Sequence, residues 1–373
     1  MRTPSTTSAD TAWQLFDETT ATAAIVDAIN GAHQVVNAEF FGFSDAGKGA
    51  QVVSALANAA KRGVEVNVLT DFISSLALPL GSYKSMRSKI EDAGGSVILT
   101  SRIPFSNRGQ ETPALKHVDH RKVVTIDGST GFVGGMNFVK ITDDYHDTMA
   151  QLGGTAAGRL AADQMERWKR VGGAVSDRHS ASVRQALDGA ARIPSDRTEF
   201  AIINNAPDVG NFEVTNAYRD MIRGAKERLW ISSPGISDRA VMDDINAAAS
   251  RGVDVRIIAP GSPPTGMPPI QWIGRAHMAN LDAHGGSSWE IPEVLHRKAL
   301  IADDEAVLSS YNLTVRSAKH DHEVGIRTAD PEFVEAISGI FERDISRGKK
   351  FDPTDHTGLS ARIGAFLART FSY

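Results

Sequence analysis

Apolar positions recur with a helical period and then with a strand-like one in two separate stretches of the chain, in the same order each time. Residues 24–43 (AIVDAINGAHQVVNAEFFGF) and 52–71 (VVSALANAAKRGVEVNVLTD) match residues 217–236 (AYRDMIRGAKERLWISSPGI) and 242–261 (MDDINAAASRGVDVRIIAPG). In each copy an Ala-rich amphipathic run gives way to a short β-branched run, and an R-G-V turn separates the second such pair. This predicts helix, buried strand, helix, buried strand, twice over, and so α/β layers around mixed sheets. A chain of 373 residues is long for one core and natural for two. The polar, proline-containing stretch 190–197 (AARIPSDR) is the predicted seam. The expected division is a first half over 12–190 and a second over 198–373, two pseudo-symmetric α/β/α halves with the active site where they meet.

A second repeat carries chemistry. His120-Arg121-Lys122 runs through VVTID to Asp127, and His296-Arg297-Lys298 runs through ALIAD to Asp303. Each is H-x-K-x4-D, and each is followed by a small-residue run closing on asparagine, GGMN at Asn137 and SSYN at Asn312. Residues two apart on a strand share a face, so His120 projects with Lys122 and His296 with Lys298. Turn signals at Asp127-Gly128 and Asp303-Asp304 predict hairpins whose return strands bring Asn137 and Asn312 beside the head of the first strand. Asp127 and Asp303 have the opposite strand parity and sit at the turn, which predicts a structural role for both. Two imidazoles, two ammonium groups and two amides suit a phosphodiester. Cations and amides neutralise the non-bridging oxygens, while one imidazole attacks phosphorus and the other protonates the leaving oxygen.

These residues resemble the duplicated signature H-x-K-x4-D-x6-G-[GS]-x-N of the phospholipase D superfamily. Within it the chain is most similar to bacterial cardiolipin synthases, through VDHRKVVTIDG, GFVGGMNF, DYHDTMAQLGG and LHRKALIADDEAVLSSYNLTVRS, over about residues 13–352. The resemblance implies a metal-independent, cofactor-free, two-step reaction through a phosphohistidine. His120 is then the nucleophile and His296 the general acid, with Lys122, Lys298, Asn137 and Asn312 holding the phosphoryl oxygens. It also implies a carboxylate behind a histidine in each half, at Asp147 and Glu323, where it would fix a tautomer and raise basicity. Three departures stand out: serine-serine where glycine-serine is usual, a return one residue shorter in the second hairpin, and Thr314 where those synthases usually carry aspartate.

Composition narrows the partner. The net charge of −5 weighs against a duplex nucleic acid, which usually meets a basic footprint. The expected substrate is a phospholipid diester, transferred to an alcohol or hydrolysed; the alternative is a nucleic acid or small soluble diester. One chain carries both half-sites, so a monomer suffices. Residues 1–10 lack a basic, apolar leader and no stretch reaches the ~20 apolar residues of a membrane span, which predicts a cytoplasmic protein, free or peripherally docked on a membrane. Without cysteine the chain has neither disulfides nor thiolate metal sites.

Other segments carry weaker expectations. Leu359, Ile363, Phe366 and Leu367 fall at helical spacing and predict a final helix packed on the core, with an anionic membrane surface as its other outlet. The loops 74–81 and 260–269 follow predicted strands and are candidates for substrate selection. The charge run 166–170 (ERWKR) reads as solvated surface. The runs 143–147 (DDYHD) and 320–323 (HDHE) alternate faces along a strand, so they do not converge on one metal ion.

Overall fold

A computed structural model of the chain describes residues 13–71, 73–74, 80–100, 117–190, 200–261 and 268–370. The expected seam from 191 onward, the interiors of the two candidate loops (75–79 and 262–267) and the first ten residues lie outside the described residues. The chain falls into two compact units, one of 1–144 with 148–196, the other of 145–147 with 197–373.

The first unit runs β1 (Trp13–Asp17), α1 (Ala21–Asn30), β2 (Val35–Phe40), α2 (Lys48–Lys61), β3 (Glu65–Thr70), α3 (Leu80–Asp92), β4 (Ser96–Leu99), β5 (Lys122–Ile126), β6 (Thr130–Gly134), β7 (Thr148–Leu152), α4 (Gly154–Arg170) and α5 (Asp177–Ala190). Its sheet has the order β1-β7-β6-β5-β2-β3-β4, with β2, β3 and β4 parallel and the remaining pairs antiparallel.

The second unit repeats this path: β8 (Ala201–Ala206), β9 (Asn211–Phe212), α6 (Glu213–Gly224), β10 (Arg228–Ser232), α7 (Arg239–Ser250), β11 (Asp254–Pro260), α8 (Pro268–Ala283), β12 (Ser287–Ile291), β13 (Lys298–Ala302), β14 (Glu305–Ser309), α9 (Val315–Lys319), β15 (Glu323–Thr328), α10 (Pro331–Arg347), β16 (Lys349–Lys350) and α11 (Leu359–Thr370). Within its sheet the run β8-β15-β14-β13-β10-β11-β12 reproduces the first unit's order strand for strand, with β9 and β16 added at the edges. The mixed α/β class and the duplicated halves are therefore as the apolar patterning predicts.

The R-G-V turns show why the pattern repeats. Gly63 and Gly252 adopt φ of +86° and +91°, where a Cβ would be strained. The preceding arginines reach back to cap another helix: Arg62 donates to Ile29 O at the end of α1, and Arg251 to Arg223 O and Ala225 O at the end of α6. Fully buried Ile25, Val53 and Leu56 fill one core, and Ile222, Ile245 and Ile257 the other.

Two expectations are corrected. Within ERWKR, Arg167 is fully buried and donates to Asp119 at 2.9 and 3.2 Å, and Trp168 is buried beside Leu69. A cation leaves water this completely only when a carboxylate meets it, and sequence spacing alone does not reveal Asp119 opposite it. The final helix α11 does pack, but through its small residues: Gly364 and Ala368 are buried and Gly364 lies against Trp272 of α8. Leu359 and Phe366 stay 74% and 60% exposed.

Candidate functional site

In each unit the motif forms a hairpin whose aspartate locks it in place. Asp127 and Asp303 both adopt φ of +51°, a conformation aspartate tolerates because its side chain bonds nearby backbone. The Asp127 carboxylate accepts from the backbone N–H of His33, Gln34 and Val35 at 2.8–2.9 Å, at the entry to β2. Asp303 accepts from Lys226, Glu227 and Arg228 at the entry to β10. Burial opposes ionisation of Asp303, but these donors prevail and its pKa lies below the usual carboxylate value. Its turn spans residues 303–304 where the first spans 127–129, so the second hairpin is the tighter one.

The serine-serine departure has a packing cause. Across the ladder Gly134 faces Met149, and a Cβ on Gly134 would fall 2.3 Å from Thr148 O. At the matching position Ser309 faces Gly325, and a Cβ there would sit 2.6 Å from that of Ser309. Each pair has room for one side chain, and the glycine has moved across the ladder. Gly325→Ala is therefore expected to cost about 2 kcal/mol of stability, read as a lowered thermal midpoint, and the double change Ser309→Gly/Gly325→Ala to restore most of it. Thr314 is likewise accounted for locally: its hydroxyl accepts from Ser317 N at 3.2 Å as the N-cap of α9, a task aspartate performs equally well.

The strands begin at Lys122 and Lys298, so both histidines precede their strands by two residues instead of opening them as expected. In the second unit they still converge, with Lys298 Nζ 2.9 Å from His296 Nδ1 and 2.5 Å from His296 O. Residues 145–147 lie alongside the motif: His296 N and Arg297 N donate to His146 O at 2.8 and 3.2 Å, and His146 N donates to Val294 O. That bridge places Asp147 Oδ2 2.6 Å from His296 Nδ1. With the hydrogen on Nδ1 bonded to Asp147, the Lys298 ammonium donates to the carbonyl of His296. The Asp147 carboxylate thus comes from the first half's sequence yet serves the second half's histidine.

Lys298 is wholly buried. Desolvation pushes its pKa down to about 8, against the opposing pull of Asp147 and Glu323. Glu323 is itself buried and accepts from the Ser310 hydroxyl. Asn312 Oδ1 is buried without a hydrogen-bond partner among the described residues.

In the first unit Lys122 is wholly buried and its ammonium donates to His120 O. The ring of Phe41 lies 5.1 Å from that of His120 and 5.3 Å from Lys122 Nζ. Asn137 Oδ1 accepts from Gly42 N at 3.1 Å, which turns the amide so that its NH2 group remains a donor.

Sequence reasoning missed several supports. Phe41 walls His120, and Tyr145 lies 5.6 Å from the ring of His296. The middle residue of each H-R-K is a buried anchor on the other face: Arg121 pairs with Glu39 at 2.7 Å and Asp119 at 3.1 Å, and Arg297 pairs with Asp344. Asp344 also accepts from His146 at 3.0 Å and Arg347 at 3.0 Å, so one carboxylate holds both segments that form the Asp147–His296 pair. Spacing showed only that Arg121 and Arg297 face away from the histidines. The acidic runs disperse to separate partners: Asp321 to Arg316, His322 to Asp208, Asp143 to Lys48 N.

The family model described as cardiolipin synthase, PLD-like domain matches residues 25–150 and 218–345, one hairpin motif within each stretch. The chain belongs to that family. It is accordingly an enzyme of the phospholipase D type. Among curated proteins it is 27% identical to a probable cardiolipin synthase, YwiE, of Bacillus subtilis, over 93% of this chain and 69% of that one. It is 29% identical to cardiolipin synthase A of Pseudomonas putida, over 96% of this chain and 74% of that one. Among solved structures it shares its fold with phosphatidylserine synthase of Haemophilus influenzae, with a TM-score of 0.72 at 13% identity, covering 96% and 92% of the two chains. No helix among the described residues is long and apolar enough to cross a membrane.

Proposed function

We propose that this enzyme transfers a phosphatidyl group from phosphatidylglycerol to an alcohol, the hydroxyl of a second phosphatidylglycerol first, through a phosphohistidine on His120. Support for the lipid comes from similarity, over 93–96% of this chain and 69–74% of the relatives, to proteins named cardiolipin synthase. The observation that carries the chemistry is the 2.6 Å bond from Asp147 to His296, which supports a general acid–base role because a carboxylate there favours one imidazole tautomer.

In the first step a ring nitrogen of His120 bonds to phosphorus, the bond from phosphorus to the leaving glycerol oxygen breaks, and protonated His296 gives its proton to that oxygen. In the second, neutral His296 takes the proton of the acceptor hydroxyl as its oxygen displaces His120. Lys122, Lys298, Asn137 and Asn312 offset the charge gathering on the non-bridging oxygens. Water as acceptor would yield phosphatidic acid by the same steps.

The ionisation of Lys298 sets an alkaline limit. With its pKa at about 8, the ammonium is present below that pH and lost above it, so kcat is expected to fall as pH rises through about 8. Lys298→Arg stays charged and should move that limb upward at reduced kcat. A limb unmoved in the arginine variant would assign the titration to another group.

Purified protein supplied with labelled phosphatidylglycerol vesicles and, in parallel, a labelled single-stranded oligonucleotide tests the substrate. Cardiolipin and glycerol from the vesicles are expected. A cut oligonucleotide beside intact lipid would move the chain to nucleic-acid diesters.

A further inference from the structure

The helix α11 buries the wrong face for a core helix. At 100° per residue, Gly364, Ala368 and Ala361 fall within about 60° of one another and form the face that meets α8. A Cβ on Gly364 would fall 2.3 Å from Trp272 O, so the two helices touch backbone to backbone there. The opposite arc holds Leu359, Phe366, Ile363 and Leu367. Leu359 and Phe366 are 74% and 60% exposed, two of the four large apolar side chains that are most exposed among the described residues, and the other two members are half-buried. Exposed Arg362 and Arg369 flank this arc on one side, and the helix contains no acidic residue. An apolar arc edged by arginines is the arrangement of a helix lying in a membrane interface, its apolar side chains among acyl chains and its guanidinium groups among phosphates.

The position of α11 within the same unit agrees with such a placement. Helix α8 begins after β11 ends, at the edge of the sheet where the parallel strands β10, β11 and β12 finish and β13 starts with Lys298. Gly364 packs on Trp272, in the first turns of α8, and Ala361 and Ala365 line a cavity of about 230 Å³ with Trp272, Ala276 and Ala279. Helix α11 therefore packs along α8, whose first turns lie at the end of the sheet that carries His296.

We infer that α11 docks the enzyme on an anionic phospholipid bilayer, with Leu359, Ile363, Phe366 and Leu367 entering the interface and Arg362 and Arg369 contacting lipid phosphates. This rests on the reading that the substrate resides in a bilayer, and docking is measured separately from turnover. The full chain is floated with vesicles of phosphatidylglycerol and phosphatidylcholine mixed, and with vesicles of phosphatidylcholine alone. The wild type is expected to bind the anionic vesicles far more strongly. Arg362→Gln/Arg369→Gln should weaken that binding about 25-fold, at about fivefold per arginine near a charged surface. Leu359→Glu/Phe366→Glu should abolish it, with circular dichroism unchanged because both side chains are exposed, and with turnover of a dispersed short-chain phosphatidylglycerol retained. Binding that survives both pairs of substitutions would overturn the inference. So would a dimer in sedimentation velocity that Leu359→Glu/Phe366→Glu converts to monomer while vesicle binding stays the same. Loss of short-chain turnover in the wild type, with vesicle binding intact, would count against the substrate reading and leave the docking surface standing.

Discussion

His296→Ala is expected to lower turnover by about 10^4-fold or more, close to 5 kcal/mol in the barrier, with the fold intact. His296 is mostly shielded from solvent, but its side chain lies at the edge of the core and its bonds are polar, to Asp147 and Lys298, so truncation opens little apolar space. His120→Ala should be equally inactive. Groups that act as a unit are not additive, so the double variant should be no worse than either single one. Steady-state kinetics on phosphatidylglycerol vesicles, with the thermal midpoint of each variant as the folding control, checks this. A double variant slowed by the product of the two single effects would mean that the histidines act independently.

Asp147→Asn is the second large effect. The amide keeps the volume and can still meet Nδ1, but it removes the charge that stabilises a protonated imidazole, and its NH2 group can bind the wrong tautomer. A fall of about 10^3-fold in kcat is expected, smaller than for loss of the histidine itself. The carboxylate also raises the pKa of Lys298 against desolvation, so its removal should shift the alkaline limb below about 8. A purely structural role for Asp147 predicts neither a displaced limb nor retained KM. Measuring the kcat–pH profile of wild type and variant together separates the two.

The duplication, the α/β layers and the hairpins were legible because they rest on local signals: apolar period, R-G-V turns and Asp-Gly or Asp-Asp at the bend. The motif aspartates were legible for the same reason, since parity alone puts Asp127 and Asp303 at the turn, though not the three backbone donors each gathers. What escaped depends on contacts between distant residues. Ser309 looks like a departure until Gly325 is seen across the ladder. Arg167 reads as surface until Asp119 is placed opposite it. Asp147 stands in the first half by sequence, and only the bridge between residues 145–147 and the second motif gives it to His296. The amphipathic pattern of α11 was visible, but periodicity cannot say which face is covered, and the small residues that allow close approach to Trp272 took that role from the large ones.

A phosphatidyl group carried on His120 should be recoverable as a covalent adduct. In His296→Ala protein mixed with phosphatidylglycerol, attack by His120 would be slow, but the acceptor hydroxyl, with no base to take its proton, would displace His120 more slowly still, so the adduct should accumulate. Digestion without acid and mass spectrometry of the peptide containing His120 is the direct measurement. A phosphatidyl or phosphoryl mass increment on His120, absent from His120→Ala protein, is the expected result. The same increment found on His296 in the His120→Ala protein would make His296 the nucleophile instead.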